Sequence, residues 1–250
     1  MMKKGKEKNI SKFNEDVLKL GGYAYTNENI YSARVASEKQ SAGIIKAVKS
    51  QKLKRPVKIL DVGSGDGTYT FELYKHLKPD LIVGFDYAKE GVEIAKKMTK
   101  KTDRSKIKFQ TVSIYDAAKK IEGKFGVVVI RGVLHHLYNP RRGIKAICKL
   151  SNTIVVAEPN GFSPLMKIME KASLYHRQHE EKSYWPPTLN SWFEENGFTV
   201  QKQEFFGIVP FFFPETLSRL IKRIEPFLEA IPYVNRLYCG TNLIVYEKRS

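Results

Sequence analysis

Short apolar runs alternate with helical stripes along most of the chain. Val57–Val62, Leu81–Phe85, Ile107–Val112, Gly126–Ile130 and Thr153–Ala157 have no helical spacing and are bounded by turn residues, so each predicts a buried strand. Gly126–Ile130 is apolar throughout, as a central parallel strand covered on both faces should be. Between these runs the spacing turns helical. Ile44, Ile45 and Val48 predict a helix over 36–50, and Phe71, Leu73, Tyr74 and Leu77 predict one after Thr68. Further helices are expected over 89–101, 117–122, 141–150, 163–173 and 188–196, the last closed by Gly197. Two more strands, 198–205 and 241–246, follow. Strand and helix in alternation predict an α/β fold around a largely parallel sheet. Residues 1–36 read as a tail and cap segment and 37–250 as a single domain. Two stretches, about 162–187 and 207–238, exceed an ordinary connection and read as insertions.

The first strand runs into Asp61-Val62-Gly63-Ser64-Gly65-Asp66-Gly67, a turn in which backbone can approach a ligand with no Cβ in the way. Strand, glycine loop and helix together open a nucleotide-binding α/β unit. A dinucleotide fingerprint counted from Gly63 would need glycine at Thr68, so the fit is poor. Asp61 also repels a pyrophosphate and attracts a cation. S-adenosylmethionine carries a sulfonium and an ammonium and no phosphate. Leu60 to Gly67 resembles the first motif of class I S-adenosylmethionine-dependent methyltransferases. The resemblance covers roughly residues 55–160 and the terminal strands, and is specific for the cofactor rather than for the acceptor.

The resemblance implies a seven-stranded Rossmann-like sheet of order 3-2-1-4-5-7-6 with the last strand antiparallel. It implies S-adenosylmethionine as cofactor, S-adenosylhomocysteine as product and no metal. Asp61, Gly63 and Gly65 belong to the loop that meets the cofactor. Asp86 stands at the end of the second strand, near the spacing of a ribose-binding acid. Asp116 matches the acid that takes the adenine amino group, although it is equally placed as a helix N-cap. Ile114 or Tyr115 would flank the ring, and Tyr87 and Arg131, at the second and fourth strand ends, complete the cofactor set with Tyr115.

Beyond the fourth strand, Leu134-His135-His136-Leu137 resembles the corresponding segment of small-molecule methyltransferases. Ligands of open α/β sheets sit outside the carboxyl ends of the strands, so His135 and His136 are the candidate bases and Tyr138 a substrate contact. The Asn/Asp-Pro-Pro-Tyr motif of amino-directed nucleic-acid enzymes is missing, since Asn139-Pro140 continues as Arg141-Arg142. Glu158, His176, His179, Tyr25 and Arg34 complete the candidate substrate set. His176 and His179 stand three apart, and zinc would need a further ligand such as Glu180.

Composition changes this picture at one point. The net charge is +17, with 43 basic residues against 26 acidic, which suits an anionic partner such as nucleic acid or an acidic membrane. Scattered lysines of a lysine-rich proteome give the same count without a partner. Cys148 and Cys239 have no metal or redox spacing, and reduced thiols point to the cytoplasm. The basic N-terminus has no apolar run behind it, and no run is long enough to span a bilayer. The expected activity is methyl transfer to O or C of a small or lipid-like acceptor. The alternatives are an RNA methyltransferase and a cofactor-binding, non-catalytic or activator subunit. Residues 205–238 combine a dense aromatic run with the stripe Leu217, Leu220, Ile221, Ile224, Phe227, Leu228 and Ile231, interrupted at Pro226. They are expected to cover the acceptor and to touch a membrane peripherally; completion of the core is the competing reading.

Overall fold

A computed structural model of the chain describes residues 29–172, 182–211, 213–231 and 233–249. Tyr25, His176, His179 and Glu180, all singled out above, lie outside the described residues. The strands are β1 Lys58–Val62, β2 Leu81–Asp86, β3 Ile107–Thr111, β4 Val127–Arg131, β5 Thr153–Pro159, β6 Phe198–Phe206 and β7 Thr241–Lys248. They form one seven-stranded sheet in the order β3-β2-β1-β4-β5-β7-β6. β1 to β5 are mutually parallel, and β7 runs antiparallel to both neighbours. β6 is therefore parallel to β5, and its end at Phe206 lies at the same sheet edge as the ends of β1 to β5.

Side-chain alternation divides the core. Leu60, Val62, Val83, Phe85, Val128 and Ile130 point to one face, and Ile59, Ile82, Val127 and Val129 point to the other. The first face is covered by helices α4 Ala117–Lys120, α5 Pro140–Ile147 and α7 Pro186–Glu194, the second by α1 Tyr31–Lys49, α2 Thr68–Leu77 and α3 Lys89–Met98. Asp61 shares its face with Ile59, so its carboxylate is directed towards α1 and α2.

Helix α1 begins at Tyr31, earlier than its apolar spacing suggests, and crosses position 36. Ser32, Ala33 and Val35 are buried, so tertiary packing supports the added turn. The two insertions contain α6 Pro164–Ala172, and α8 Glu215–Glu229 with α9 Asn235–Tyr238. Pro226 does not interrupt α8: the helix runs through it, with Ala230 N–H donating to Pro226 O at 3.2 Å. The proline is exposed, so its ring meets solvent rather than a packed neighbour. No helix among the described residues is long and apolar enough to cross a membrane.

The stripe on α8 does not complete the core. Its polar side turns inward: Glu225 is 2% exposed, and Ser218 is fully buried. Glu225 accepts hydrogen bonds from Lys222 Nζ and from Ile208 N–H and pairs with Lys39 of α1 at 2.7 Å. Glu229 accepts from Gly207 N–H and from the same lysine. Two carboxylates thus tie α8 to α1 and to the chain leaving β6. Removing one member of a buried ion pair leaves its partners uncompensated. Glu225→Ala is expected to lower stability by about 3–5 kcal/mol in urea denaturation. A change below about 1 kcal/mol would show that the inward charges do not hold the segment.

Candidate active site

The ends of β1, β2 and β4 meet in one place because residue 63 has no side chain. Gly63 has φ +73°, and a Cβ there would lie 2.3 Å from Val133 Cγ2 of the chain leaving β4. Gly63 N–H and Ser64 N–H both donate to Phe85 O, at 2.8 and 3.1 Å. Gly65 N–H donates to Asp86 Oδ2 at 3.0 Å, and Ala88 N–H to Asp86 Oδ1 at 2.8 Å. Each Asp86 oxygen so retains acceptor capacity for a further donor. Gly67, at φ +85°, starts α2.

Acidic groups surround this turn. Asp61 is buried and accepts from Thr70 Oγ1 at 2.5 Å. Burial pushes its carboxyl up to about 6; the Thr70 hydrogen bond and Arg131 oppose the rise, and Asp86 adds to it. Burial also raises the Asp86 carboxyl, against backbone N–H groups that lower it, with Asp66 adding to the rise. Asp66 itself accepts from Thr68 N–H at 3.0 Å. The turn therefore presents carboxylates, which suit a ligand carrying positive charge and hydroxyl donors better than a phosphate.

Arg131 ends β4 and reaches α1 and α2. Its guanidinium donates to Gln40 Oε1 at 2.7 Å, Ser41 Oγ at 2.6 Å and Ser37 O at 3.0 Å, and lies 3.4 Å from the Tyr69 ring centroid. A void of about 10 Å³ beside it, about the size of one water, is lined by Asp61, Ser41, Tyr69 and Glu72.

Glu158, expected to meet substrate, is 2% exposed and organises the post-β4 segment instead. Oε1 accepts from Val133 N–H and Leu134 N–H, both at 2.8 Å. Oε2 accepts from His135 N–H at 3.2 Å and lies 2.7 Å from His135 Nδ1. A carboxylate opposite Nδ1 favours a proton on that nitrogen, which in the neutral ring leaves Nε2 as the acceptor. His135 is buried, and its ring centroid lies 3.8 Å from that of half-buried His136. Asn160, also placed at this edge, is fully buried and donates to Arg236 O and Cys239 O, both at 2.8 Å, thereby holding α9.

The remaining candidates spread out from this centre. Tyr115 OH accepts from Asn139 N–H at 3.1 Å, and Arg142 lies 5.2 Å from its ring. Asp116 occupies the N-cap position of α4 without making a side-chain cap hydrogen bond. Tyr87 and Tyr138 are exposed. Arg34 is exposed on α1, 5.7 Å from the Tyr31 ring, which also carries Arg219 at 4.3 Å.

An aromatic cluster borders the same edge. Phe162 lies 4.4 Å from Trp185 and 5.7 Å from Phe205, and Tyr184 lies 4.9 Å from Trp192. Gly161 lets the two sides meet, since a Cβ there would lie 2.1 Å from Tyr184 O. Burial pushes the Tyr184 phenol up to about 12, with Glu158 and Tyr115 adding to the rise. Tyr184, near the end of the first insertion, carries no local motif; only its proximity to Gly161 brings it here. Among the described residues no group of three or more His, Cys, Asp or Glu side chains is arranged to hold a metal.

The raised Asp61 carboxyl has a pH consequence. Its folded value, about 6, lies above the ordinary 3.8, so the folded state binds more protons between them. Stability of the ligand-free protein should fall as pH rises from about 4 to about 6 and then level off. Asp61→Asn should flatten this slope and add up to about 3 kcal/mol at pH 7, at about 1.4 kcal/mol per pH unit. A wild-type stability that does not change across this range in urea denaturation would contradict the assignment.

Comparison with known proteins agrees with this architecture. A family model described as a methyltransferase domain matches residues 53–203, more than half of the chain. An uncharacterized protein of Synechococcus sp. is 35% identical over 101 residues, 40% of this chain and 24% of that protein. The tRNA U34 carboxymethyltransferase of Helicobacter pylori (strain HPAG1) is 26% identical over 194 residues, 74% of this chain and 72% of that enzyme. The chain spans about half or less of the length of two of its curated relatives. The crystal structure of magnesium protoporphyrin IX methyltransferase from Synechocystis PCC 6803 with bound SAM superposes with a TM-score of 0.65 at 13% identity, over 99% of both chains. With more than half its length matched by the family model and the sheet order in place, the chain belongs to the methyltransferase-domain family.

Proposed function

We propose that this chain transfers a methyl group from S-adenosylmethionine to an oxygen or carbon of a small or lipid-like acceptor. The residues around the β1 turn suit that cofactor. Asp61 offers a buried carboxylate to a cationic ligand, the glycines leave backbone open, and Asp86 has acceptor capacity for two ribose hydroxyls. Asp116, with no capping bond, is available to an adenine amino group, and Tyr115 and Tyr87 border the same edge. Arg131 acts indirectly, by fixing α1 against the β4 end. When bound, the cofactor supplies an electrophilic methyl group on a sulfonium.

The protein's own part is orientation, exclusion of water and proton removal. Glu158 holds His135 with Nε2 as the base, so a proton leaving the acceptor is received at that nitrogen. Phe162, Trp185 and Phe205 carry the acceptor assignment: a rim of aromatic surface at the ligand edge favours an apolar molecule. Tyr138 and Arg34 are proposed acceptor contacts at its outer side.

A second reading, an RNA acceptor, rests on the net charge of +17 and on the similarity to the tRNA-modifying enzyme. Labelled methyl transfer separates the two: incorporation into a lipid extract supports the first, and incorporation into RNA replaces it. No incorporation into any acceptor, with cofactor bound, would leave a non-catalytic or activator subunit. His135→Ala should reduce turnover by about 10²–10⁴-fold with cofactor affinity unchanged. Wild-type turnover in this variant would remove His135 as the base.

A further inference from the structure

Helix α8 is inverted relative to an ordinary surface helix. Glu225 is buried and Glu229 half-buried, while most of its apolar stripe faces outward: Leu217, Leu220, Ile224 and Phe227 are exposed, Phe227 to 75%. Ile231, Val234 and Leu237 continue the exposed set through α9. α9 packs against α6, on which Leu165 and Ile168 are also exposed. Exposed apolar side chains gathered on α8, α9 and α6 in this number mark an interaction site.

Its position matters. The segment leaves the sheet at Phe206 and returns at Thr241, which pairs with both Phe206 and Pro159. It therefore rises from the edge at which Glu158, His135 and the aromatic rim stand. Phe205 of that rim lies 5.8 Å from Arg236 of α9, which links the two surfaces.

Charge decides between occupants. Arg223 and Arg236 are exposed beside the stripe, and the whole chain carries +17. A second copy with the same charge is repelled over the Debye length, whereas an anionic lipid surface is attracted. A lysine-rich molecule with an exposed, outward apolar helix has the two components that hold an amphipathic helix in an interface.

We infer that the face formed by α6, α8 and α9 docks on anionic membrane and brings the sheet's ligand edge to the lipid. This deepens the proposed function and rests on it for the acceptor class: the methyl acceptor is then a membrane-resident molecule. The docking itself depends only on the surface.

The test is co-sedimentation of the full chain with phosphatidylcholine vesicles, with and without phosphatidylglycerol. The expected result is binding to the anionic vesicles only, weakening as salt rises. Leu220→Ser with Phe227→Ser should lower the vesicle partition by about tenfold or more, since both side chains would leave water on docking. Both are exposed, so the melting temperature should stay as in wild type. No sedimentation at any salt concentration, or undiminished sedimentation of the double variant, overturns the inference. So does a dimer in light scattering that the double variant dissolves, because the stripe then belongs to a second copy. A melting shift with S-adenosylhomocysteine, measured without vesicles, reports the cofactor reading separately. Vesicle binding without that shift supports the docking surface and overturns the proposed chemistry.

Discussion

The missing Cβ at residue 63 is the constraint from which the site follows. Val133 occupies the space a side chain there would fill, and the two N–H groups at 63 and 64 bind the last carbonyl of β2. Three strand ends are thereby locked at one point, with the Val133 side chain packed on the bare backbone of residue 63. Only a left-handed, side-chain-free residue allows this approach. Asp61, Asp86 and the Val133–His136 segment take their positions from it. An L side chain at 63 would need both a strained φ and a displaced β4 segment.

On that frame two buried carboxylates do different work. Asp61 is held under the turn with few partners, and burial drives its carboxyl upward, so it gains from a cationic neighbour. Glu158 is filled by three backbone N–H groups and an imidazole, which makes it a clamp on the segment it faces. Both are buried carboxylates, and the hydrogen-bond partners make the difference between one open to a ligand and one spent on positioning.

The strands and the glycine turn were legible in the chain because both are local, whereas the strand order came with the family resemblance. Short apolar runs bounded by turn residues identify strands, and the spacing of Gly63, Gly65, Gly67 and Asp86 identifies the turn. What escaped was long-range. Glu158 could be placed at the ligand edge, but its four contacts come from residues 23 to 25 positions away. Arg131 sits at a strand end, yet its partners lie 90 to 94 positions earlier. The stripe on α8 was visible, but its outward orientation was not. Periodicity states that a helix has two faces; Lys39 and the amides of Gly207 and Ile208 decide which one turns inward.

The central claim is that the β1 turn and Asp86 form a nucleoside site for S-adenosylmethionine. Calorimetric titration of wild type and Asp86→Ala with S-adenosylhomocysteine tests it most directly. The account predicts one saturable site in wild type and a loss of about 1.5–3 kcal/mol in the variant, because charge-assisted hydrogen bonds disappear. Binding of NAD in place of S-adenosylhomocysteine, or equal affinity in the two proteins, would contradict it.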